Sequence, residues 1–110
     1  MDHATALKEA DAIAALAREH ADETEAGTRL APAVAAAITG SDLTRWWLPT
    51  ALGGYAGHPS TFVEVIERIS AGDASTGWCA GIAIGGNTVA AVLPEHAAKE
   101  FFVNVSGGCG

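Results

Sequence analysis

Residues 74–93 (ASTGWCAGIAIGGNTVAAVL) carry no charged side chain. Apolar residues fall on every side of a helix drawn through them, so the segment cannot lie on a wet surface with one face bare. Something must cover it, either lipid or protein. The stretch between Asp73 and Glu95 is long enough for a membrane span, which needs about 20 residues. Gly77, Gly81 and Gly85 recur at four-residue steps, as small residues do where membrane helices pair. Against a span, Gly85, Gly86, Asn87 and Thr88 sit together near its middle, weakening the helix and adding polar cost. Neither flank has the Lys/Arg excess that orients a span. The preferred expectation is therefore the central helix of a soluble helical domain, covered on all sides. Its glycines then admit neighbouring backbones, Trp78, Ile82 and Ile84 fill the space beside small residues, and Gly85-Gly86-Asn87 makes a kink or break of the kind found beside ligands.

The flanking sequence supplies helices to do the covering. Leu7, Ala10, Ile13, Ala14, Leu16, Ala17 and Ala21 recur at helical spacing, predicting one amphipathic helix over residues 4–26 that ends at Gly27. Leu30, Val34 and Ile38 stripe a second helix, with Pro32 in its first turn and Gly40 after it. Residues 41–61, with two prolines and Gly53-Gly54, read as a long ordered loop. Thr61 and Glu64 fit a capping box for a third helix bearing Phe62, Val65, Ile66 and Ile69 and ending at Gly72; Asp73 then caps the uncharged helix. Pro94 opens a last short helix, and VNVSGGCG reads as the start of a strand.

One domain fits 110 residues, and its core must be built largely from alanine, since aromatics are only 6% of the chain. Such a core is marginal unless something else packs on it. Thirteen acids against six Lys and Arg give a net charge of −7, and seven of the acids precede residue 26. With no basic cluster, the composition excludes nucleic-acid binding and an anionic membrane surface. The acidic N-terminus reads as a solvated helix face. The first residues are charged where a signal peptide would be apolar, so the expected location is the cytoplasm.

No residue set stands out as chemistry. Cys79 and Cys109 form no CxxC and have no histidine at ligand spacing, so they read as free thiols, Cys79 as a buried small hydrophobe. His3, His20, His58 and His96 are scattered, and His20 with Glu19 and Glu23 reads as a surface cluster, not a metal site. Glu64 is accounted for by capping, Glu67 by solvent, and no phosphate-loop pattern accompanies Gly53-Gly54. Of Trp46 and Trp47, one is expected in the core and one over the loop, the other use of such rings being an interdomain or subunit contact. Trp78 reads first as a core anchor and second as a pocket wall.

Leu48-Pro49-Thr50-Ala51-Leu52-Gly53-Gly54, following Leu43-Thr44-Arg45-Trp46-Trp47, resembles the P-x-x-x-G-G loop of the acyl-CoA dehydrogenase superfamily. Asp73-Ala74-Ser75-Thr76-Gly77-Trp78-Cys79 resembles a signature of one branch, the two-component flavin-dependent monooxygenases, and Leu93-Pro94-Glu95 also matches. The resemblance runs from about residue 5 to 102. It implies an all-α chain: residues 1–102 as the family's N-terminal helical domain and 103–110 as the start of a β-domain that is missing. In such enzymes FAD or FMN sits between the later domains, which also supply the dehydrogenases' catalytic glutamate. The resemblance therefore hands this chain no catalytic residue and implies that it binds flavin weakly by itself. It implies a small organic substrate or acyl-CoA, and for the monooxygenases a flavin reductase partner. The N-terminal domain of relatives lines the substrate pocket, which makes Trp78, Cys79, Ile82 and Asn87 the candidate lining residues. One departure is that Gly85-Gly86-Asn87-Thr88 replaces the His and aromatic residues of some hydroxylases, which favours a different substrate or a plain dehydrogenase. The competing expectations are a small helical interaction module presenting the tryptophan loop, and a single-span membrane protein. An exposed apolar face where other domains dock predicts self-association.

Overall fold

The computed structural model describes residues 1–86 and His96, and these residues contain helices and no strand. Five α-helices follow in order: α1 His3–Glu19, α2 Ala21–Gly27, α3 Pro32–Thr39, α4 Pro59–Gly72 and α5 Ala74–Gly85. The all-α expectation holds. The short helix at Pro94 and the strand-like tail lie outside the described residues, as do Asn87 and Cys109.

The first helix is broken where the sequence predicted continuity. His20 leaves the helical well (φ −103°, ψ 13°) and separates α1 from α2, although its N–H still donates to Leu16 O at 3.1 Å and its carbonyl still accepts from Thr24 N–H at 3.0 Å. The turn swings Thr24 inward, where its hydroxyl oxygen accepts the Ala31 N–H at 3.0 Å and closes the connection to α3. The left-handed residue that ends α2 is Thr28 (φ 54°), not Gly27. Pro32 occupies the first turn of α3, where its missing N–H costs nothing.

The loop predicted over 41–61 runs over 41–58 and contains two 3-10 turns, Asp42–Arg45 and Thr50–Leu52. It doubles back on itself through Tyr55 N–H to Arg45 O, Ala56 N–H to Leu48 O and Gly57 N–H to Trp46 O, at 3.0, 3.0 and 2.7 Å. The glycine pair has a physical reason. Gly53 adopts φ 79°, and a Cβ on Gly54 would overlap the Leu48 carbonyl. Ser41 ties the loop to α1 by donating to Glu9 Oε2 at 2.5 Å.

The central helix is α4, and this corrects the expectation for the uncharged segment. One side of α4 packs on α1 and the other on α5, with Val65 and Ile69 buried between them. α1 contributes Ala6, Ala10, Ile13, Ala14 and Ala17, and α3 contributes Val34 and Ile38. Alanine faces bring backbones close, and a Cβ on Gly72 would strike the Ala14 carbonyl. α5 lies at the edge of the described bundle. It buries Thr76, Gly77, Ala80, Ala83 and Ile84, and leaves Trp78 72% and Ile82 51% exposed. Trp78 is thus no core anchor, and the described residues cover α5 on one side rather than all round. No helix among the described residues is long and apolar enough to cross a membrane.

Candidate functional site

Asp73 sets the position of α5. Its Oδ2 accepts the Thr76 N–H at 2.9 Å and the Thr76 hydroxyl at 2.7 Å, capping the helix as the sequence predicted and satisfying a fully buried threonine. Gly77 then lets α5 lie directly against α4, because a Cβ there would overlap Ser70 Oγ and stand 2.9 Å from Ser70 Cα. One turn further on the helices have parted: among the described residues a Cβ on Gly81 would meet only Ile66 Cδ1 at 3.9 Å, and one on Gly85 only Phe62 Cζ at 3.9 Å.

The divergence opens an apolar groove of about 480 Å³ between α4 and α5. Phe62 and Ile66 form one wall, Trp78 and Ile82 the other, and Gly77 and Gly81 line the space between. Ser70 supplies its hydroxyl, and no charged side chain among the described residues lines it. The α4 wall is braced from behind: Trp47 packs on Phe62 with ring centroids 4.3 Å apart and planes inclined by 31°. The volume lies within the range of small-molecule sites.

Cys79 faces elsewhere. It is exposed, not buried as expected, and it lines a separate cleft of about 450 Å³ beside Thr28, Arg29, Asp73 and Ser75. The structure therefore divides the residues singled out as pocket lining. Trp78 and Ile82 share the α4–α5 groove, Cys79 belongs to the cleft at the start of α5, and Asn87 lies outside the described residues. The sequence analysis placed Phe62 and Ile66 on the third helix and did not name them as groove residues. Their i, i+4 spacing, matched by Trp78 and Ile82 on α5, was the available signal.

The remaining polar residues hold the scaffold. The capping box at Thr61 is absent: α4 begins two residues earlier at Pro59, and His58 caps it by accepting the Ser60 N–H at 3.1 Å. Thr61 is buried and its hydroxyl pairs with His3 Nδ1 at 2.7 Å, while Glu64 meets His3 at 3.4 Å and Arg68 at 3.3 Å. Arg68 also reaches Asp11 at 2.8 Å, so α1 and α4 are clipped along their exposed edge. His20 pairs with Glu23 at 2.9 Å, and no group of metal-ligating side chains occurs among the described residues. Trp46 is buried and donates its indole N–H to His58 O at 3.2 Å. With Trp47 half-buried against Phe62, the tryptophan loop faces inward instead of presenting its rings to a partner. Desolvation raises the Tyr55 hydroxyl above the ordinary tyrosine value, and the Asp42 carboxylate beside it adds to the rise. At the N-terminus, hydrogen bonds from the Thr5 side chain and backbone hold the Asp2 carboxyl below its ordinary value.

No family profile and no solved structure matches the chain. Over 88 residues, 80% of its length, it is 34% identical to the oxygenase component of the FADH(2)-dependent resorcinol hydroxylase of Rhizobium sp. (strain MTP-10005). The matched region is 22% of that relative's length, so the chain is similar to a fifth of a flavin-dependent oxygenase component.

Proposed function

We propose that the chain is the helical N-terminal part of a flavin-dependent monooxygenase built on the acyl-CoA dehydrogenase architecture, and that its α4–α5 groove forms one wall of the organic substrate's pocket. The observation that carries the reading is the pairing of two independent facts. The similarity to a flavin-dependent oxygenase component spans 80% of the chain, and the D-x-S-T-G-W segment within it places Trp78 on an apolar groove. The relative also favours a monooxygenase over a plain dehydrogenase, despite the Gly85-Gly86-Asn87-Thr88 departure.

The α4–α5 groove does not fit a flavin. Its phosphates and ring nitrogens call for cations and several N–H donors, and among the described residues the groove offers the Ser70 hydroxyl and the Trp78 indole N–H among apolar walls. The groove's contribution is therefore to the substrate: to exclude water from an organic ring and to hold it by contact, while the flavin, carried by other parts of the enzyme, supplies oxygen activation. A flavin reductase delivering the reduced cofactor is the partner such a component requires.

A chimera tests the proposal. The 88-residue region of the Rhizobium oxygenase component is replaced by the matching region of this chain, and hydroxylation is followed with reduced FAD supplied by a reductase. The expected result is a folded chimera that couples oxygen use to product. A chimera that folds and binds FAD but turns over no aromatic substrate contradicts the reading.

A further inference from the structure

We propose that Gly81 sets the depth of the α4–α5 groove, and with it the bulk of the molecule that the groove admits. The proposal rests on the groove being the substrate wall and adds to that reading the residue that selects by size.

Gly77, Gly81 and Gly85 follow one another at four-residue steps along one face of α5. Packing accounts for the first, because a Cβ on Gly77 would overlap Ser70 Oγ. Position accounts for the last, because Gly85 is the final residue of the helix, where glycine is ordinary. Gly81 has neither reason. It stands in the interior of the twelve-residue α5, where glycine lowers the folding equilibrium about fivefold relative to alanine. A Cβ there would stand 3.9 Å from Ile66 Cδ1, an ordinary contact, so among the described residues alanine would fit. What a side chain at this position would take is room in the groove, which Gly81 lines between the Phe62–Ile66 wall and the Trp78–Ile82 wall. The two sides of that space differ in how they can respond to a ligand. Trp78 and Ile82 are 72% and 51% exposed, and exposed side chains change rotamer within nanoseconds, so that wall adjusts. Phe62 is held from behind by Trp47 at a centroid distance of 4.3 Å, and the α5 backbone at Gly81 is fixed by the contact one turn earlier at Gly77. Depth is therefore set where the structure yields least, between the braced α4 wall and a bare backbone.

Phenol and 4-propylphenol are probes that differ in bulk alone. Each is titrated at neutral pH into the 110-residue chain and into Gly81→Ala, Gly81→Leu and Cys79→Leu. Binding is read by NMR from the Trp78 indole N–H and the Ile66 and Ile82 methyl groups. In the unaltered chain the propyl compound is expected to bind at least about fivefold more tightly, because part of its extra apolar surface leaves water. Gly81→Ala is expected to raise Tm and to halve that preference at least, and Gly81→Leu to abolish it. Cys79→Leu enlarges α5 on the side of the separate cleft and is expected to leave the preference unchanged. Gly81→Ala carries the test by itself if leucine prevents folding. A preference that survives in the folded Gly81 variants, or that falls as far in Cys79→Leu, overturns the role of Gly81 and leaves the groove standing as a site. Binding of neither probe to the unaltered chain overturns that role and the substrate wall together, whereas activity of the chimera decides the flavoenzyme reading independently.

Discussion

Asp73 does two tasks with one carboxylate, and its removal exposes both. In Asp73→Ala the first turn of α5 loses its cap and the buried Thr76 hydroxyl loses its acceptor. The expected cost is about 1–2 kcal/mol, with Asp73→Asn retaining most of the cap, read from urea denaturation. Tyr55 offers a second residue-level test, because it is the chain's lone tyrosine and its ionisation can be followed without overlap. Its hydroxyl is raised in the folded state, so the unfolded chain gives up that proton first as pH rises. Stability from this group is therefore complete below the ordinary tyrosine pKa and is lost as pH climbs through the folded value. A spectrophotometric titration should place Tyr55 above free tyrosine, and Asp42→Asn should bring it part of the way down. At this scale the sequence was legible wherever backbone chemistry dictates a residue type. Asp73 as a cap, Pro32 in a first turn and the Gly53-Gly54 pair were all read correctly. It was illegible where two local solutions compete. Thr61 and Glu64 satisfy a capping pattern, but Pro59 starts α4 earlier, and His58 provides a cap that its side-chain type does not announce.

The helices α4 and α5 touch at Gly77 and separate at Gly81, and two substitutions to alanine should move stability in opposite directions. At Gly77 the new methyl group meets the backbone and side chain of Ser70, so Gly77→Ala should destabilise by about 1–3 kcal/mol despite its gain in helix propensity. At Gly81 the new methyl group would reach ordinary van der Waals contact with Ile66 Cδ1 at 3.9 Å, and Gly81→Ala should stabilise by up to about 1 kcal/mol. Thermal denaturation of the two variants checks the pair, and a shift of the same sign in both would show that the helices do not diverge as described. The number and type of elements were legible from apolar periodicity, because Val34, Ile38, Val65 and Ile69 do face the core. The layer order was not. A lack of ionised residues suggests a central helix, yet α4, which carries Glu64, Glu67 and Arg68, holds the centre, and the uncharged α5 turns Trp78 and Ile82 outward; only packing shows this. The break at His20 was equally hidden, because the hydrogen-bond ladder crosses it with little change in pattern.

For the whole molecule, the alanine-built core and the apolar groove point the same way. α1 buries five side chains, of which four are alanine, so helix packing is close but yields little apolar area per residue. The face bearing Trp78 and Ile82 is where a further surface or a ligand is needed. The sequence motifs pointed towards flavin-dependent oxygenases, to one component of which the chain is similar, but the sequence placed Cys79 beside Trp78 in one pocket, and geometry sends adjacent helical residues to different faces. That separation also yields the most direct test of the account. In an active chimera with the Rhizobium oxygenase component, KM for the aromatic substrate is measured for Trp78→Ala, Ile82→Ala and Cys79→Ala. The account predicts that the two groove substitutions raise KM by about tenfold, close to 1.4 kcal/mol of lost contact, while Cys79→Ala leaves it unchanged. A KM that responds to Cys79 and not to Trp78 or Ile82 would contradict the assignment of the α4–α5 groove as the wall that meets substrate.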